Sequence, residues 1–291
     1  MKTATFCKDG KPVLGIVLGD RIYDAAQAAQ AAGIPGDFSS LRCVLERPDG
    51  LEQLKQAEKR IGDLQLSAAA MQEVQLEAPI MNPPKVLGVA LNYRDFCSRG
   101  NLLLPDKLKV FGKYGTSVNR HLGEIDIQGR SVTYEGELAI VMGKTCRDAN
   151  RENALSFVAG YTAVNDCTAN DYVKEDVQLL RGKNLDGFLP MGPVFVTADE
   201  VGDPGRLTIR TEVDGEVRQN ASTDQMVFDV QDIICYFSSF MTLEPGDVIA
   251  SGTPAGTALQ FNPPRFLKPG QTVCVTVEKI GTLKNTVITS V

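Results

Sequence analysis

The sequence contains no tryptophan and only one histidine, His121, in 291 residues. A site built from several histidines is therefore excluded, and any Ser-His-Asp or Cys-His mechanism would depend on this single residue. The motifs G-x-S-x-G, G-x-x-x-x-G-K-[ST] and G-x-G-x-x-G are also absent. The sequence thus lacks the usual signals of serine hydrolases and of nucleotide- and dinucleotide-binding enzymes.

The seven cysteines are odd in number and scattered, and no C-x-x-C pair is present. Neither a disulfide framework nor a thiolate zinc site is indicated, so we expect a reducing, cytoplasmic setting. Charged residues interrupt every apolar run in residues 1–30, and no run approaches the roughly 20 apolar residues of a membrane span. We therefore expect neither a signal peptide nor a membrane-spanning segment.

The formal net charge is −6 and the isoelectric point is about 5.0. An acidic chain without a Lys/Arg cluster is a poor partner for nucleic acid or for an anionic membrane surface. Both are excluded as main partners, and a small molecule is the expected ligand.

The sequence pattern changes along the chain and indicates two domains. Residues 3–24 predict a β-hairpin with an Asp9-Gly10 turn, and two helical segments follow, ending near Gly33 and Gly62. The proline-rich segment 78–85 then predicts a boundary between a small α+β domain, residues 1–78, and a larger domain, residues 79–291. The larger domain is rich in strand patterns, including a hairpin over 207–219, and holds one amphipathic helix that begins near Val230.

The segment SVTYEGELAIVMG, residues 131–143, predicts one β-strand on which Glu135 and Glu137 share a face. The apolar residues that follow predict burial on both faces. Two like charges about 7 Å apart in a buried strand repel each other and need a cation. The alternative is an edge strand whose glutamates face water, but the apolar run argues against it.

A third carboxylate, Asp166, ends the buried strand pattern YTAVND. Three oxygen ligands without histidine or thiolate favour Mg²⁺, with Mn²⁺ or Ca²⁺ as alternatives. A 2-oxo acid could bind such an ion through its carboxylate and keto oxygens, which would stabilise an enolate. Arg94 and Arg181 are candidate substrate-binding residues because guanidinium pairs with carboxylate in a bidentate manner.

Six segments, taken in order, resemble the fumarylacetoacetate hydrolase family over residues 85–291. They are LNYRD, YEGELAIVMGK, VAGYTAVND, GKNLDGFLPMGP, FMTLEPGDVIASGTPAG and FLKPG...IGTLKN. The resemblance implies a mixed, strand-rich α+β fold of rolled mixed β-sheets with short helices, preceded by a small α+β N-terminal domain. It also implies a homodimer and a Mg²⁺ ion bound by Glu135, Glu137 and Asp166. Lys183 and Thr253 match substrate-contacting, catalytic positions of the family.

One segment departs from the family pattern. Hydrolytic and some decarboxylating members resemble N-Y-x-D-H-x-x-E, whereas this sequence reads NYRDFCSR and places Phe96 and Arg99 at the His and Glu positions. Phenylalanine cannot act as a general base, so hydrolysis of a C–C bond is disfavoured. His121 could replace the missing base, although an ordinary loop histidine is the simpler interpretation.

The sequence therefore predicts a Mg²⁺-dependent enzyme that acts on a small 2-oxo or 2-hydroxy-enoic acid, with a dicarboxylate favoured. Isomerisation, tautomerisation or decarboxylation would proceed through an enolate, and DGFLPMGP is closer to isomerase and decarboxylase members of aromatic-acid breakdown. Two alternatives stay open at this point. One is C–C hydrolysis of a 1,3-diketo acid, and the other is a metal-binding homologue without catalytic activity.

Overall fold

The protein is seen in a computed structural model that describes residues 1–290. Its strands are β1 (Lys2–Lys8), β2 (Lys11–Leu18), β3 (Arg21–Asp24), β4 (Ala68–Ala70), β5 (Leu76–Glu77), β6 (Val86–Ala90), β7 (Lys109–Lys113), β8 (Val118–Asn119), β9 (Glu124–Asp126), β10 (Val132–Thr133), β11 (Gly136–Met142), β12 (Val158–Asn165), β13 (Thr168–Ala169), β14 (Leu189–Thr197), β15 (Thr208–Val213), β16 (Glu216–Ser222), β17 (Val248–Ala250), β18 (Thr272–Val277) and β19 (Gly281–Ile288). Its α-helices are α1 (Ala25–Ala31), α2 (Leu41–Leu45), α3 (Gly50–Arg60), α4 (Arg94–Arg99), α5 (Asn170–Asp176), α6 (Leu180–Lys183), α7 (Ala198–Val201) and α8 (Val230–Phe240).

The strands form mixed sheets. The largest has the order β4-β3-β2-β1-β14-β12-β11-β17-β6-β7, with β5 beside β1 and β8 beside β14. A second sheet has the order β16-β15-β18-β19-β9, and β10 pairs with β13. Most pairs are antiparallel, whereas β17 with β6, β19 with β9 and β14 with β8 are parallel. The predicted mixed, strand-rich α+β class with short helices is confirmed.

Strand β11 lies inside the large sheet, between β12 and β17. All seven of its residues are buried. Leu138 and Ile140 point into the core that also holds α8, whereas Ala139 and Val141 point into the core beneath the N-terminal helices. This alternation confirms that both faces of the strand are buried.

The prediction of one continuous strand over 131–143 is wrong. The structure has two strands, β10 and β11, because Tyr134 and Glu135 leave the ladder between them. The backbone C=O of Glu135 accepts a hydrogen bond from the N–H of Asp166 at 2.8 Å. At Gly136 a Cβ atom would lie 2.1 Å from Thr211 Oγ1, so a glycine is required for this close approach. Glu135 therefore precedes the strand that carries Glu137.

The N-terminal elements follow the sequence pattern. Strands β1 and β2 form the predicted hairpin, with Lys8 opposite Lys11 across the Asp9-Gly10 turn. Helices α1 and α3 occupy the two predicted helical segments. Strand β1 also pairs with β14, so hydrogen bonds of the large sheet cross the proposed boundary at residue 78. The division into residues 1–78 and 79–291 stays a prediction.

The segment 168–193 contains α5 and α6 and then enters β14. The two helices are short, so too few turns repeat for a helical pattern to be visible in the sequence. Both helices carry residues to the end of the strand that holds the acidic side chains, so this segment contributes to the site.

The C-terminal part agrees with prediction. The hairpin of β15 and β16 turns at Asp214-Gly215. Helix α8 begins with a capping box, in which Asp229 accepts from the N–H of Asp232 at 2.9 Å. No helix within residues 1–290 is long and apolar enough to cross a membrane.

Candidate metal centre and substrate pocket

Three carboxylates converge at one end of β11. Glu137 lies on the strand and Glu135 just before it, while Asp166 follows the neighbouring strand β12. Asn165 positions Glu135, because its Oδ1 accepts from the Glu135 N–H at 2.9 Å. One oxygen from each carboxylate lies within 4.8 Å of the other two. Antiparallel pairing thus brings residues about 30 positions apart into one cluster.

Two buried lysines hold Asp166. Lys183 Nζ, at the end of α6, donates to Asp166 Oδ2 at 2.6 Å and to Glu135 Oε2 at 2.8 Å. Lys113 Nζ, at the end of β7, donates to Asp166 Oδ1 at 2.7 Å and to the C=O of Phe188 at 3.0 Å. We call these five side chains, Glu135, Glu137, Asp166, Lys113 and Lys183, the acidic centre. Both oxygens of its aspartate are paired with an ammonium group.

Burial and charge act in opposite directions on the pKa values of the acidic centre. Burial raises the pKa of Glu137 well above its usual value, with nearby Asp166 adding to the effect, and burial also raises the pKa of Glu135. Burial opposes ionisation of Asp166 too, but Lys113 and Lys183 outweigh it and lower that pKa. Glu135 and Glu137 therefore have too little positive charge nearby to offset their burial, whereas Asp166 has enough.

The donor set fits a divalent cation. It consists of carboxylate oxygens, without imidazole or thiolate, which is the ligand chemistry of Mg²⁺, Mn²⁺ and Ca²⁺. Lys183 already places a positive charge between Glu135 and Asp166, and the raised pKa values of the glutamates indicate a need for more. Glu135, Glu137 and Asp166 are thus the residues that could hold a divalent metal ion.

Thr253 lies beside this cluster and is held by a hydrogen-bond chain. Its hydroxyl donates to the C=O of Gly136 at 3.0 Å and accepts from Gln219 Nε2 at 2.8 Å. Gln219 Oε1 in turn accepts from the Gly136 N–H at 3.0 Å. The N–H of Gly252 donates to Glu137 Oε2 at 2.7 Å. The SGTP segment therefore orients both a carboxylate and a hydroxyl.

A pocket of about 150 Å³ opens onto the acidic centre. Its polar part contains Glu135, Glu137, Lys183, Thr168, Asn170 and Thr253. The rest of the lining, which we call the apolar wall, consists of Val89, Leu91, Phe96, Phe111, Val173 and Leu179. The pocket lining therefore combines charged and apolar side chains.

Helix α4 carries part of the apolar wall and is fixed in place. Leu91 turns the chain from β6 towards α4 with φ +58°, an uncommon backbone conformation for a leucine. Asp95 Oδ2 accepts from the N–H of Ala255 at 3.2 Å, and Gln260 Nε2 donates to the C=O of Phe96 at 2.9 Å. These contacts place the phenyl ring of Phe96 at the pocket, while Arg99 stacks on Phe261 with 4.8 Å between the guanidinium carbon and the ring centroid.

The two arginines proposed to bind substrate lie away from the pocket lining. Arg94 is exposed at the start of α4. Arg181 pairs with Glu175 and Asp176 and stacks on Tyr172. Of the predicted site residues, the structure therefore brings together the three carboxylates, Lys183 and Thr253, but not the arginines. His121 is also remote: its Nδ1 accepts from the N–H of Lys284 at 3.1 Å.

Sequence reasoning missed three residues that contact the predicted ones. Lys113 and Gln219 are described above, and Thr168 donates from its hydroxyl to Glu135 Oε1 at 2.8 Å. A single Lys, Gln or Thr carries no spacing signal, and each reaches the site from a different strand. The segment KVFGK gives no such signal either, because Lys109 and Lys113 share a face of β7 and only Lys113 is buried.

A family profile described as fumarylacetoacetate (FAA) hydrolase C-terminal matches residues 85–288. The chain belongs to the fumarylacetoacetate hydrolase family. The match spans all three carboxylates, Lys183 and Thr253, and the resemblance inferred from the sequence is confirmed. The segment before residue 85 lies outside the profile.

Curated relatives in this family carry the name oxaloacetate tautomerase. Oxaloacetate tautomerase YisK of Bacillus subtilis (strain 168) is 37% identical over 301 residues, which cover 98% of this chain and 99% of the relative. Mitochondrial oxaloacetate tautomerase FAHD2A of Homo sapiens is 39% identical over 228 residues, covering 77% of this chain and 73% of the relative. Such relatives identify the chain as a family enzyme.

Solved structures agree along the whole chain. Fumarylacetoacetate hydrolase of Exiguobacterium antarcticum is 36% identical with a TM-score of 0.85, and maleylpyruvate hydrolase of Sphingobium sp. SYK-6, in complex with manganese(II) and pyruvate, is 28% identical with a TM-score of 0.82. The 2-hydroxyhepta-2,4-diene-1,7-dioate isomerase of Mycobacterium marinum is 29% identical with a TM-score of 0.75. The first two alignments cover 100% of both chains, and the third covers 100% of this chain and 99% of the other. Isomerase and hydrolase activities thus both occur among the structural relatives.

Proposed function

We propose that this protein is a Mg²⁺-dependent tautomerase of a small 2-oxo acid, interconverting its keto and enol forms. The observation that carries the proposal is the convergence of three buried carboxylates and Lys183 at a pocket whose lining also includes Phe96. Tautomerisation transfers a proton from C3 to solvent and returns a proton from solvent to the 2-oxo oxygen, so it needs no water activated as a nucleophile. The name shared by several curated relatives supports the same reaction.

Glu135, Glu137 and Asp166 would hold the ion, and Mn²⁺ or Ca²⁺ could replace Mg²⁺ in the same oxygen ligand set. When bound, the divalent cation supplies Lewis-acid stabilisation of negative charge on the 2-oxo oxygen. The pocket, at about 150 Å³, suits a ligand close in size to benzene, so the substrate is small.

Lys183 is placed to donate a hydrogen bond to the 2-oxo oxygen. Its Nζ lines the pocket, is hydrogen-bonded to Glu135 and Asp166, and lies 4.8 Å from the centroid of the Phe111 ring. Burial disfavours the ammonium form, but Asp166 and Glu135 outweigh burial and raise the pKa of Lys183. The lysine therefore stays charged and can donate a hydrogen bond to a developing oxyanion. Thr253, oriented by Gln219, would contact the substrate from the other side.

C–C hydrolysis is the second candidate, favoured by the likeness to the maleylpyruvate hydrolase that was solved with manganese(II) and pyruvate. Against it, Phe96 has no ionisable group and His121 lies beside Lys284, outside the pocket lining. Decarboxylation, a role in aromatic-acid breakdown, a homodimeric state and a cytoplasmic location stay predictions from the sequence.

Proton exchange measured by NMR in D₂O tests the proposal. Oxaloacetate and 2-oxo acids of different length are incubated with enzyme and Mg²⁺, with parallel samples that contain chelator or no enzyme. We expect Mg²⁺-dependent deuterium uptake at C3 above the enzyme-free rate, without C–C cleavage. Glu137→Gln should lower this rate at least about 100-fold, because it removes a charged ligand rather than one of its outer partners.

The competing functions give different results in the same assay. Formation of pyruvate plus a second acid would identify a hydrolase. Mg²⁺ binding without exchange on any 2-oxo acid would identify a non-catalytic homologue. Either result overturns the tautomerase proposal.

A further inference from the structure

The apolar wall is the part of the pocket lining that remains for the tail of a 2-oxo acid bound at the acidic centre. A substrate whose carboxylate and keto oxygens contact the acidic centre directs its remaining carbons towards the rest of a pocket of about 150 Å³. That space is bounded by residues from four separate elements, including Phe96 of α4 and Val173 of α5. The chemistry of these side chains therefore decides which tails are accepted.

Hydrogen-bond donors at the polar side of the pocket are already engaged. The Thr168 hydroxyl donates to Glu135, and the Thr253 hydroxyl donates to the C=O of Gly136. The two amide hydrogens of Asn170 are shared among Thr133 Oγ1 at 2.6 Å, the C=O of Ser131 at 2.9 Å and the C=O of Thr168 at 3.1 Å. None of these side chains has a free donor for a second carboxylate of the substrate.

Positive charge is also missing from the apolar wall. Within residues 1–290, Lys183 is the only cationic side chain in the pocket lining, and its Nζ already donates hydrogen bonds to Glu135 and Asp166. Arg181 is paired with Glu175 and Asp176 outside the pocket. A carboxylate at the far end of a substrate would therefore lose its hydration without gaining a partner, which is strongly unfavourable.

Counting charges leads to the same result. In their ionised forms, the three carboxylates and two lysines of the acidic centre leave one negative charge. A divalent cation bound there changes this to one positive charge. A ligand with a single carboxylate neutralises it, whereas a dicarboxylate leaves a negative charge buried against the apolar wall.

We propose that the pocket selects a 2-oxo monocarboxylate with a short apolar tail over a 2-oxo dicarboxylate such as oxaloacetate. This inference rests on the proposed function, because it assumes that the 2-oxo acid end contacts the acidic centre. It replaces the dicarboxylate favoured from the sequence. Phe96 and Val173 are the residues that determine this specificity.

Calorimetric binding of two matched ligands tests the selectivity without measuring activity. The probes are 2-oxopentanoate and the dianion of 2-oxopentanedioate, which differ by a methyl group in place of a carboxylate, and neither is a β-keto acid that could lose CO₂ in the presence of Mg²⁺. With the full chain and Mg²⁺, we expect the monocarboxylate to bind about tenfold or more tightly. Equal affinity, or tighter binding of the dicarboxylate, would overturn the inference.

Substitution of the apolar wall should reverse the preference. Phe96→Arg places a guanidinium in the apolar wall, and Val173→Arg does the same from α5 if the first variant folds poorly. Each should strengthen dicarboxylate binding about tenfold and weaken monocarboxylate binding. The control is Leu103→Arg, which adds the same charge at a side chain that is 93% exposed and should leave the preference unchanged. If neither arginine in the wall changes the ratio, these residues do not set specificity.

The two assays together distinguish a failure of this inference from a failure of the proposed tautomerase function. If oxaloacetate exchanges deuterium in the NMR assay and the dicarboxylate probe binds as tightly as the monocarboxylate, the tautomerase proposal stands and the selectivity fails. If neither probe binds and no 2-oxo acid exchanges, both fail.

Discussion

The two sides of the pocket are built in different ways. The acidic centre lies at the ends of paired strands, and its carboxylates are linked to lysines and backbone groups by hydrogen bonds of 2.6–2.8 Å. The apolar wall is assembled from a strand end, a turn and the short helices α4 and α5, and its contacts are nondirectional. The comparison indicates that the reactive groups are rigidly positioned by the sheet, whereas substrate preference depends on elements that can vary without disturbing it.

Among the variants that test this comparison, Lys113→Met is expected to have the largest effect, which is a loss of stability. Lys113 is fully buried and pairs with Asp166 Oδ1 at 2.7 Å, so its loss leaves a buried carboxylate with one cation instead of two. We expect the free energy of unfolding to fall by about 3–5 kcal/mol. Urea unfolding followed by circular dichroism measures this change.

Lys109→Met is the matched control for that variant. Lys109 lies on the same strand, β7, but its side chain is exposed. Its substitution should change the free energy of unfolding by about 0.5 kcal/mol or less. Equal losses in both variants would contradict the role assigned to Lys113 in the acidic centre.

A smaller effect, on activity and to a lesser degree on stability, is expected from Gln219→Leu, which also leaves the buried Gly136 N–H and Pro254 C=O without a partner. Gln219 orients Thr253 at 2.8 Å and the Gly136 N–H at 3.0 Å without lining the pocket. We expect kcat/KM for 2-oxo acid exchange to fall roughly 10- to 100-fold, as is typical when an outer hydrogen-bond partner is lost. The exchange assay gives this value, and Gln225→Leu, on an element outside the pocket, should keep wild-type activity.

A change in the apolar wall should affect substrates selectively. Leu179→Ala shortens a half-buried side chain that lines the pocket. We expect kcat/KM to fall roughly tenfold for a 2-oxo acid with an apolar tail, since a few methylene contacts are worth about 1–3 kcal/mol. Pyruvate, whose methyl group is too short to fill the far side, should lose less. A uniform loss for both substrates would place Leu179 in a structural role instead.

His121→Gln should have the smallest effect, because His121 belongs to neither side of the pocket. Burial lowers the pKa of its imidazole below 6.5 in the folded state, with Lys284 adding to the shift. The unfolded chain therefore takes up the proton first as pH falls through 6.5, and the folded state loses some stability in that range. The variant should keep full activity and show a slightly flatter dependence of the unfolding free energy between pH 7 and 5. A large loss of activity would make His121 the replacement base.

The acidic centre was largely visible in the sequence, and the apolar wall was not. Glu135, Glu137 and Asp166 stood out because carboxylates in apolar strand patterns need a cation, and the family resemblance added Lys183 and Thr253. Phe96 was noticed only as a missing base. Its place in the same pocket as the carboxylates depends on the turn at Leu91 and on the hydrogen bond that Asp95 accepts from the Ala255 N–H, which no local pattern reveals.

Predictions from local sequence patterns were also wrong where the chain departs from regular secondary structure. The break between β10 and β11 depends on Gly136 packing against Thr211, a contact between residues 75 positions apart. The assignment of Arg94 and Arg181 to substrate used their charge alone, but Arg181 had closer partners in Glu175 and Asp176. An arginine in the sequence predicts that an anion lies near its guanidinium group, but it does not indicate which anion.

By itself, the sequence determined the mixed α+β class, the buried strand and the carboxylate set, because hydrophobic alternation and the cost of burying charge act over short stretches of chain. Only the tertiary structure decided that Lys113 and Lys183 share Asp166, that Gln219 supports Thr253 and that six apolar residues line the same pocket as the acidic centre. These arrangements depend on strand pairing and helix placement between distant segments. The physical reason is that long-range packing, unlike local periodicity, is set by the whole core at once.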